Sequence, residues 1–267
     1  MPLAVCATPI GNLDDVTLRV LHELREADVV LAEDTRHTRG LLSRHGIQAR
    51  LVSYHEHNEA RRTAELLPRL AAGERVALVS DAGLPGISDP GARLIAAALD
   101  AGVQVTVLPG PSAVETALVA SGLVHERYQF VGYLPRRERA LLELGEELSR
   151  WPWPVVAFES PQRLPRSLAV LARVMPERPA AVGRELTKRF EDVARGTLSQ
   201  LAQRFTEPVQ GEITLVFGKT AAAAGDEAAA AAAVAELVAA GAARRRAAEV
   251  VAELTGVPRN RLYRRSL

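Results

Sequence analysis

Five stretches of the chain hold residues able to do chemistry. In VSDAGLPGISDPGARL (residues 79–94), Gly83, Gly86 and Gly91 let the backbone approach a ligand closely or take positive φ. Pro85 and Pro90 stiffen the same loop beforehand. Its Asp81 and Asp89 would repel phosphate and suit hydroxyls, an amine or a cation. It has neither the GxGxxG spacing nor the GK[ST] ending of phosphate cradles, so those readings fail. AEDTRHT (residues 32–38) gathers Glu33, Asp34, Arg36 and His37, and YHEHNE (residues 54–59) adds His55 and His57. FESP and GRELTKRFE contribute Glu159, Arg184, Glu185 and Lys188. Carboxylates such as Glu33, Asp34, Asp81 and Glu159 are candidate proton acceptors. Arg36, Arg184 and Lys188 are placed to grip phosphate or lower a nearby hydroxyl's pKa. For each cluster the alternative is a structural ion-pair network. His55 and His57 lack a cysteine cluster or an HExxH helix, so no metal is expected. GxSxG is absent and the lone Cys6 sits in an apolar run, which leaves nucleophilic catalysis unsupported.

Each of these stretches follows an apolar run, and that sets the elements that must position them. LAVCA, VVLAE, ARLVSY, RVALVSD and VQVTVLP alternate with segments of helical period, which predicts a largely parallel sheet covered on both faces. Loops at the carboxyl ends of such strands are where open α/β sheets bind ligands. TPIGNLDD leaves the first strand in the same way, with Asp14 or Asp15 as a possible helix cap. The alternation restarts after residue 122 with YQFVGYL, PVVAFES, AAVGREL and GEITLVFGK. Two α/β domains, 1–111 and 112–220, follow, joined at a stiff Pro-Gly-Pro triplet.

A chain of 267 residues with 48% hydrophobic content fills real cores. A net charge of +1 from 33 basic and 32 acidic residues says nothing by itself about a nucleic-acid partner. Distribution does. An alanine-rich segment opens a third unit, 221–267, where Arg244, Arg245, Arg246, Arg259, Arg261, Arg264 and Arg265 face only Glu249 and Glu253. A helix, a break at residues 256–258 and a second short helix predict a helix-turn-helix-like hairpin with a basic surface. Solvated helices with snorkelling arginines are the plainer alternative. One cysteine, no positively charged leader and an alanine run broken by Asp226, Glu227 and Glu236 predict a cytoplasmic protein without a membrane span.

In order, TPIGNL, AEDTRHT, YHEHNE, SDAGLPGISDPG, PGPSA, GYLP, FESPQR and RELTK closely resemble the ribosomal RNA small subunit methyltransferase I family. That family is the RNA-modifying branch of the tetrapyrrole (class III) methyltransferase fold, and the likeness covers about residues 3–219. The resemblance implies two α/β domains with a cofactor cleft between them and a small helical C-terminal extension. It also implies S-adenosyl-methionine-dependent 2′-O-methylation of a cytidine ribose in the decoding region of 16S ribosomal RNA, by a homodimer acting on the small ribosomal subunit. Carried over by position, the cofactor wall is Pro9, Gly11, Asp81, Ala82, Gly83, Ile87, Ser112, Ala113, Leu134, Gly211 and Ile213. Glu33, Asp34, Arg36, Glu159 and Lys188 are the catalytic candidates. Arg184 and the tail arginines 244, 245, 246, 261, 264 and 265 are the RNA-binding candidates. Leu84 departs from the threonine expected after SDAG, and Tyr133 from a common phenylalanine. The rival readings are a tetrapyrrole or protein methylase on the same fold, and a non-catalytic RNA-binding assembly factor.

Overall fold

A computed structural model describes residues 2–220 and 227–266. Its first half alternates strand and helix: β1 (Leu3–Cys6), α1 (Leu18–Glu26), β2 (Val29–Ala32), α2 (Thr35–Arg44), β3 (Leu51–Ser53), α3 (Glu59–Ala71), β4 (Val76–Val79), α4 (Ala92–Asp100) and β5 (Val105–Leu108). All five strands are parallel, in the order β3-β2-β4-β1-β5. β1, β2 and β4 are buried along their whole length, as strands with helices on both faces must be. Alternate side chains separate the two faces. Ala4, Cys6, Val30, Ala32, Ala77 and Val79 pack with Val20 and Leu24 of α1 and Leu41 of α2. Leu3, Val29, Leu31, Val76 and Leu78 pack with Leu66 and Leu70 of α3 and Leu94 of α4.

The strand order sets β1 beside β4 while the chain leaves them in opposite directions, β1 toward β2 and β4 across to β5. Such a switch opens a crevice beyond the strands' carboxyl ends.

The second half comprises α5 (Ala113–Ser121), β6 (Gln129–Tyr133), α6 (Glu138–Arg150), β7 (Val155–Glu159), α7 (Leu164–Val174), β8 (Pro179–Arg184), β9 (Asp192–Thr197), α8 (Leu198–Arg204) and β10 (Ile213–Phe217). Its sheet runs β6-β7-β10-β8-β9, and only β6 and β7 are parallel. The alternation in sequence therefore carries over less fully here than in the first sheet. Residues 185–191 hold no helix, so β9 returns as the antiparallel partner of β8. β9 itself, DVARGT, is a polar edge strand without the apolar run that marks its neighbours. α5 packs on β7, β8, β9 and β10, so the helix after the Pro-Gly-Pro triplet rests on the second sheet.

Below the strand β8, Arg178 is buried without a carboxylate partner among the described residues. Its Nε donates to Gly218 O at 2.9 Å, Nη2 to Trp153 O at 3.0 Å and Trp151 O at 3.4 Å, and Nη1 to Leu148 O. Burial pulls its pKa down to about 10, so it stays charged at neutral pH.

Helices α9 (Glu227–Ala239), α10 (Arg244–Thr255) and α11 (Arg259–Arg265) pack on one another around Ala230, Val234, Ala248, Val251 and Leu262. Gly256, at φ 70°, closes α10 in the left-handed conformation, and Pro258 precedes α11. The hairpin expected from the sequence is there, with α9 as a third helix sharing its core. The first part of the alanine-rich segment, 221–226 with Asp226, lies outside the described residues. Among the described residues no helix is long and apolar enough to cross a membrane.

Candidate functional site

The crevice is built from loops that lock together. Thr8, just past β1, and Gly83, past β4, exchange backbone hydrogen bonds of 2.8 and 3.1 Å, and Thr8 Oγ1 donates to Ser80 O at 3.0 Å. Positive φ at Gly83 (79°), Gly86 (86°) and Ser88 (64°) turns the β4 loop back over the sheet edge. Across from it, Glu159 of β7 stands opposite Ile213 of β10, which stands opposite Arg184 of β8. Antiparallel register thus lines up the carboxyl ends of β7 and β8 with the start of β10. The two halves meet at Gly11: a Cβ there would lie 2.6 Å from Lys188 Cγ and 2.9 Å from Leu186 O. Asn12 N donates to Thr187 Oγ1 at 3.0 Å in the same contact.

Between these loops is a cleft of about 750 Å³. From the first half it is walled by Ile10 and by residues 82–84 and 87–89 of the β4 loop, then by residues 109–113 of the junction. From the second half come Tyr133, Phe158, Glu159, Leu186, Gly211 and Ile213. Of the cofactor residues carried over from the resemblance, Ala82, Gly83, Ile87, Ser112, Ala113, Gly211 and Ile213 are on the wall. Pro9, Gly11, Asp81 and Leu134 are not wall residues. Pro9 is buried, Gly11 forms the contact between halves, Asp81 accepts from Asp34 N at 3.0 Å, and Leu134 lies in the second core.

The charged candidates fall into different settings. Glu159 lines the cleft but is buried, accepting from Ser160 N at 2.6 Å, from Ser167 Oγ and from the Arg163 guanidinium. Those donors occupy both its oxygens and hold the 159–163 turn, which is a positioning role and leaves little capacity for a substrate proton. Asp34 caps α2 through Arg36 N at 2.8 Å and pairs with the Arg36 side chain at 3.1 Å. That bond to Arg36 holds its carboxyl below the usual range, while the Arg36 side chain is 86% exposed. Glu33, behind it, has its pKa raised by burial and by Asp81. Lys188 is held by Glu185 at 2.9 Å and Glu212 at 3.1 Å, in a loop where Glu185 and Thr187 take positive φ. Neither Lys188, Arg184, Glu33, Asp34 nor Arg36 is on the cleft wall; they lie near its rim in sequence and register. His55 and His57 stack edge to face at 5.8 Å, and no described group of His, Cys, Asp and Glu could hold a metal.

In the tail, Arg245, Arg246 and Arg259 surround Glu249 at 3.2 to 3.5 Å, and Arg261 and Arg265 reach Glu227 at 3.6 and 3.7 Å. Glu227 is a partner the sequence did not reveal, because it sits on the helix that joins the expected hairpin. Arg264 is exposed, and Arg244 keeps one buried guanidinium nitrogen without a partner among the described residues. Sequence reasoning also passed over Ser88, Glu115, Tyr133, Glu212 and Thr214 as wall residues. The signal available for them was adjacency to strand ends already marked.

The sequence profile of the tetrapyrrole (corrin/porphyrin) methylases matches residues 2–202. The chain belongs to that family. Among related methylases, ribosomal RNA small subunit methyltransferase I of Mesorhizobium japonicum is 44% identical over 99% of this chain and 91% of its own. The protein of the same name from Micromonospora olivasterospora is 46% identical over 98% and 85%. Uroporphyrin-III C-methyltransferase of Thermus thermophilus, solved with S-adenyl homocysteine, shares the methylase fold, with a TM-score of 0.57 over 82% of this chain and 97% of that one at 19% identity.

Proposed function

We propose that the protein transfers the methyl group of S-adenosyl-methionine to the ribose 2′-oxygen of a cytidine in the decoding region of 16S ribosomal RNA. The observation that carries this reading is near-full-length identity to relatives named for methylating small-subunit ribosomal RNA. The cleft fits the cofactor. Its apolar wall at Ile10, Ala82 and Ile213 suits an adenine and a methylene chain, and Glu115 and Glu212 on the same wall suit an amine and hydroxyls. When bound, the cofactor supplies an activated methyl group. The chain's own contribution is positional: the locked Thr8–Gly83 loops and the 159–163 turn hold the walls of a largely apolar cleft that can align an in-line approach. The resemblance supports a homodimer acting in the cytoplasm on the small ribosomal subunit.

Arg36 and Lys188 are assigned to the RNA-facing rim. Arg36→Ala is expected to lower methylation of ribosomal RNA about tenfold, the scale of one charge-assisted hydrogen bond, with S-adenosyl-homocysteine affinity unchanged by calorimetry. Equal turnover would remove that rim from the RNA contact. The tail arginines are assigned to phosphates. Deleting 221–267 is expected to weaken RNA binding and flatten its dependence on salt, measured by titration at several salt concentrations. A cut after Gly241 serves less well, since it strips the partners of Ala230 and Val234 from α9. The deciding experiment is incubation with labelled S-adenosyl-methionine and unmodified small subunits. Label mapped to a cytidine ribose sustains the reading; cofactor binding without RNA label returns the small-molecule and protein methylases.

A further inference from the structure

Four carboxylates line the cleft: Asp89, Glu115, Glu159 and Glu212. Three are engaged. Glu159 is taken by Arg163, Ser167 and Ser160, Glu212 by Lys188 at 3.1 Å, and Glu115 by Ser112 and by Tyr128 Oη at 2.5 Å. Asp89 makes no ion pair among the described residues and caps no helix, since the α4 cap is Gly91. It sits in the part of the β4 loop where Ser88 and Gly91 take positive φ, close to Gly132 of β6, whose Cβ would lie 3.9 Å from Ser88 Oγ. Its place on the cleft wall is therefore fixed by backbone, and its carboxylate is shared with the Ser80 hydroxyl instead of a cation.

Resting on the reading of the protein as a ribose methyltransferase, we propose that Asp89 is the catalytic base that accepts the proton of the substrate hydroxyl. As the 2′-oxygen bonds to the methyl carbon, the carbon–sulfur bond breaks and sulfur keeps its electron pair as a neutral thioether. The hydroxyl proton passes to an Asp89 oxygen. The surroundings tune this group for the task. Burial first, then Glu33 from the end of β2 and Asp81 from the end of β4, push its pKa up to about 6. The Ser80 hydroxyl acts in the opposite direction. From the facing half, Tyr133 lies near enough that Asp89 helps raise its pKa, after burial; Glu212 and Glu159 act on Tyr133 in the same sense and Arg163 against it. Glu33 in turn feels Asp34 and His55. A base of this kind is ionised at neutral pH yet a stronger acceptor than an ordinary aspartate.

The test is single-turnover methylation of unmodified small subunits from pH 5 to 8, with Asp89→Asn and Asp89→Glu beside the unaltered enzyme. The unaltered rate should rise through about pH 6 and level off above it. Asp89→Asn should lose roughly 10²-fold or more, the usual range for general-base catalysis, while binding S-adenosyl-methionine and S-adenosyl-homocysteine as before. Asp89→Glu should recover part of the rate with a displaced inflection. Asp89→Asn turning over at the unaltered rate with the same pH profile would overturn the proposal. So would loss of affinity for the sulfonium cofactor but not its thioether product, which would make Asp89 a charge partner of the cofactor. If the unaltered enzyme labels no RNA, the RNA reading falls and this role with it, whereas an active Asp89→Asn overturns the role alone.

Discussion

Gly11→Ala is expected to lower methyl transfer by about 10²-fold while the chain stays folded. The added Cβ would lie 2.8 Å from Thr187 Oγ1 and 2.9 Å from Leu186 O as well as 2.6 Å from Lys188 Cγ. The lysine methylene can swing aside, but Leu186 O is backbone, and its loop is fixed by Glu185 N bonding Glu212 O at 3.1 Å. The loop and the β1 exit must therefore move apart by several tenths of an ångström. Leu186 and Ile10 are both cleft wall, so the displacement is transmitted to the site. A misplacement approaching 1 Å at a reacting centre is worth about 10²-fold in rate. Paired assays of turnover and cofactor affinity, with circular dichroism for the fold, check this. Unchanged turnover would mean the two loops do not set the cleft's width.

Arg178→Met is expected to destabilise the protein by about 3–5 kcal/mol, seen as a lower midpoint in thermal or denaturant unfolding. Methionine fills much of the same volume, so the loss isolates the hydrogen bonds to Leu148, Trp151, Trp153 and Gly218 carbonyls. Each carbonyl left buried and unpaired costs about 1–3 kcal/mol, partly relieved by water entering. Arg178→Lys should rescue little, because one ammonium cannot reproduce a planar fork spread over separate segments. A midpoint within a degree of the unaltered protein would show that the loops around Trp151 and Trp153 satisfy themselves.

The parallel sheet of the first half was legible because each strand carries an apolar run and each connection a helical period. The second sheet was legible in its apolar strands, but β9 escaped: an edge strand with one face in water needs no hydrophobic run, and Asp192, Arg195 and Gly196 hide it. Asp81 and Gly83 could be marked from sequence as part of one loop, yet only the folded structure separates the wall residue Gly83 from Asp81, which accepts from the Asp34 amide. Likewise FESP announced a charged strand end but not that Ser167, eight positions on and one helical turn into α7, would occupy the Glu159 carboxylate. Partners brought in by tertiary packing decide whether an acid is free to react, and spacing along the chain does not encode them.

The paired hydrogen bonds between Thr8 and Gly83 make two loops behave as an extension of the sheet. Their amides should exchange with solvent as slowly as those of the neighbouring strands. A ligand entering the cleft then meets a wall whose conformational entropy was surrendered during folding. Association should release heat without the large unfavourable entropy of loop ordering, and the first-half wall should superimpose between free and bound states.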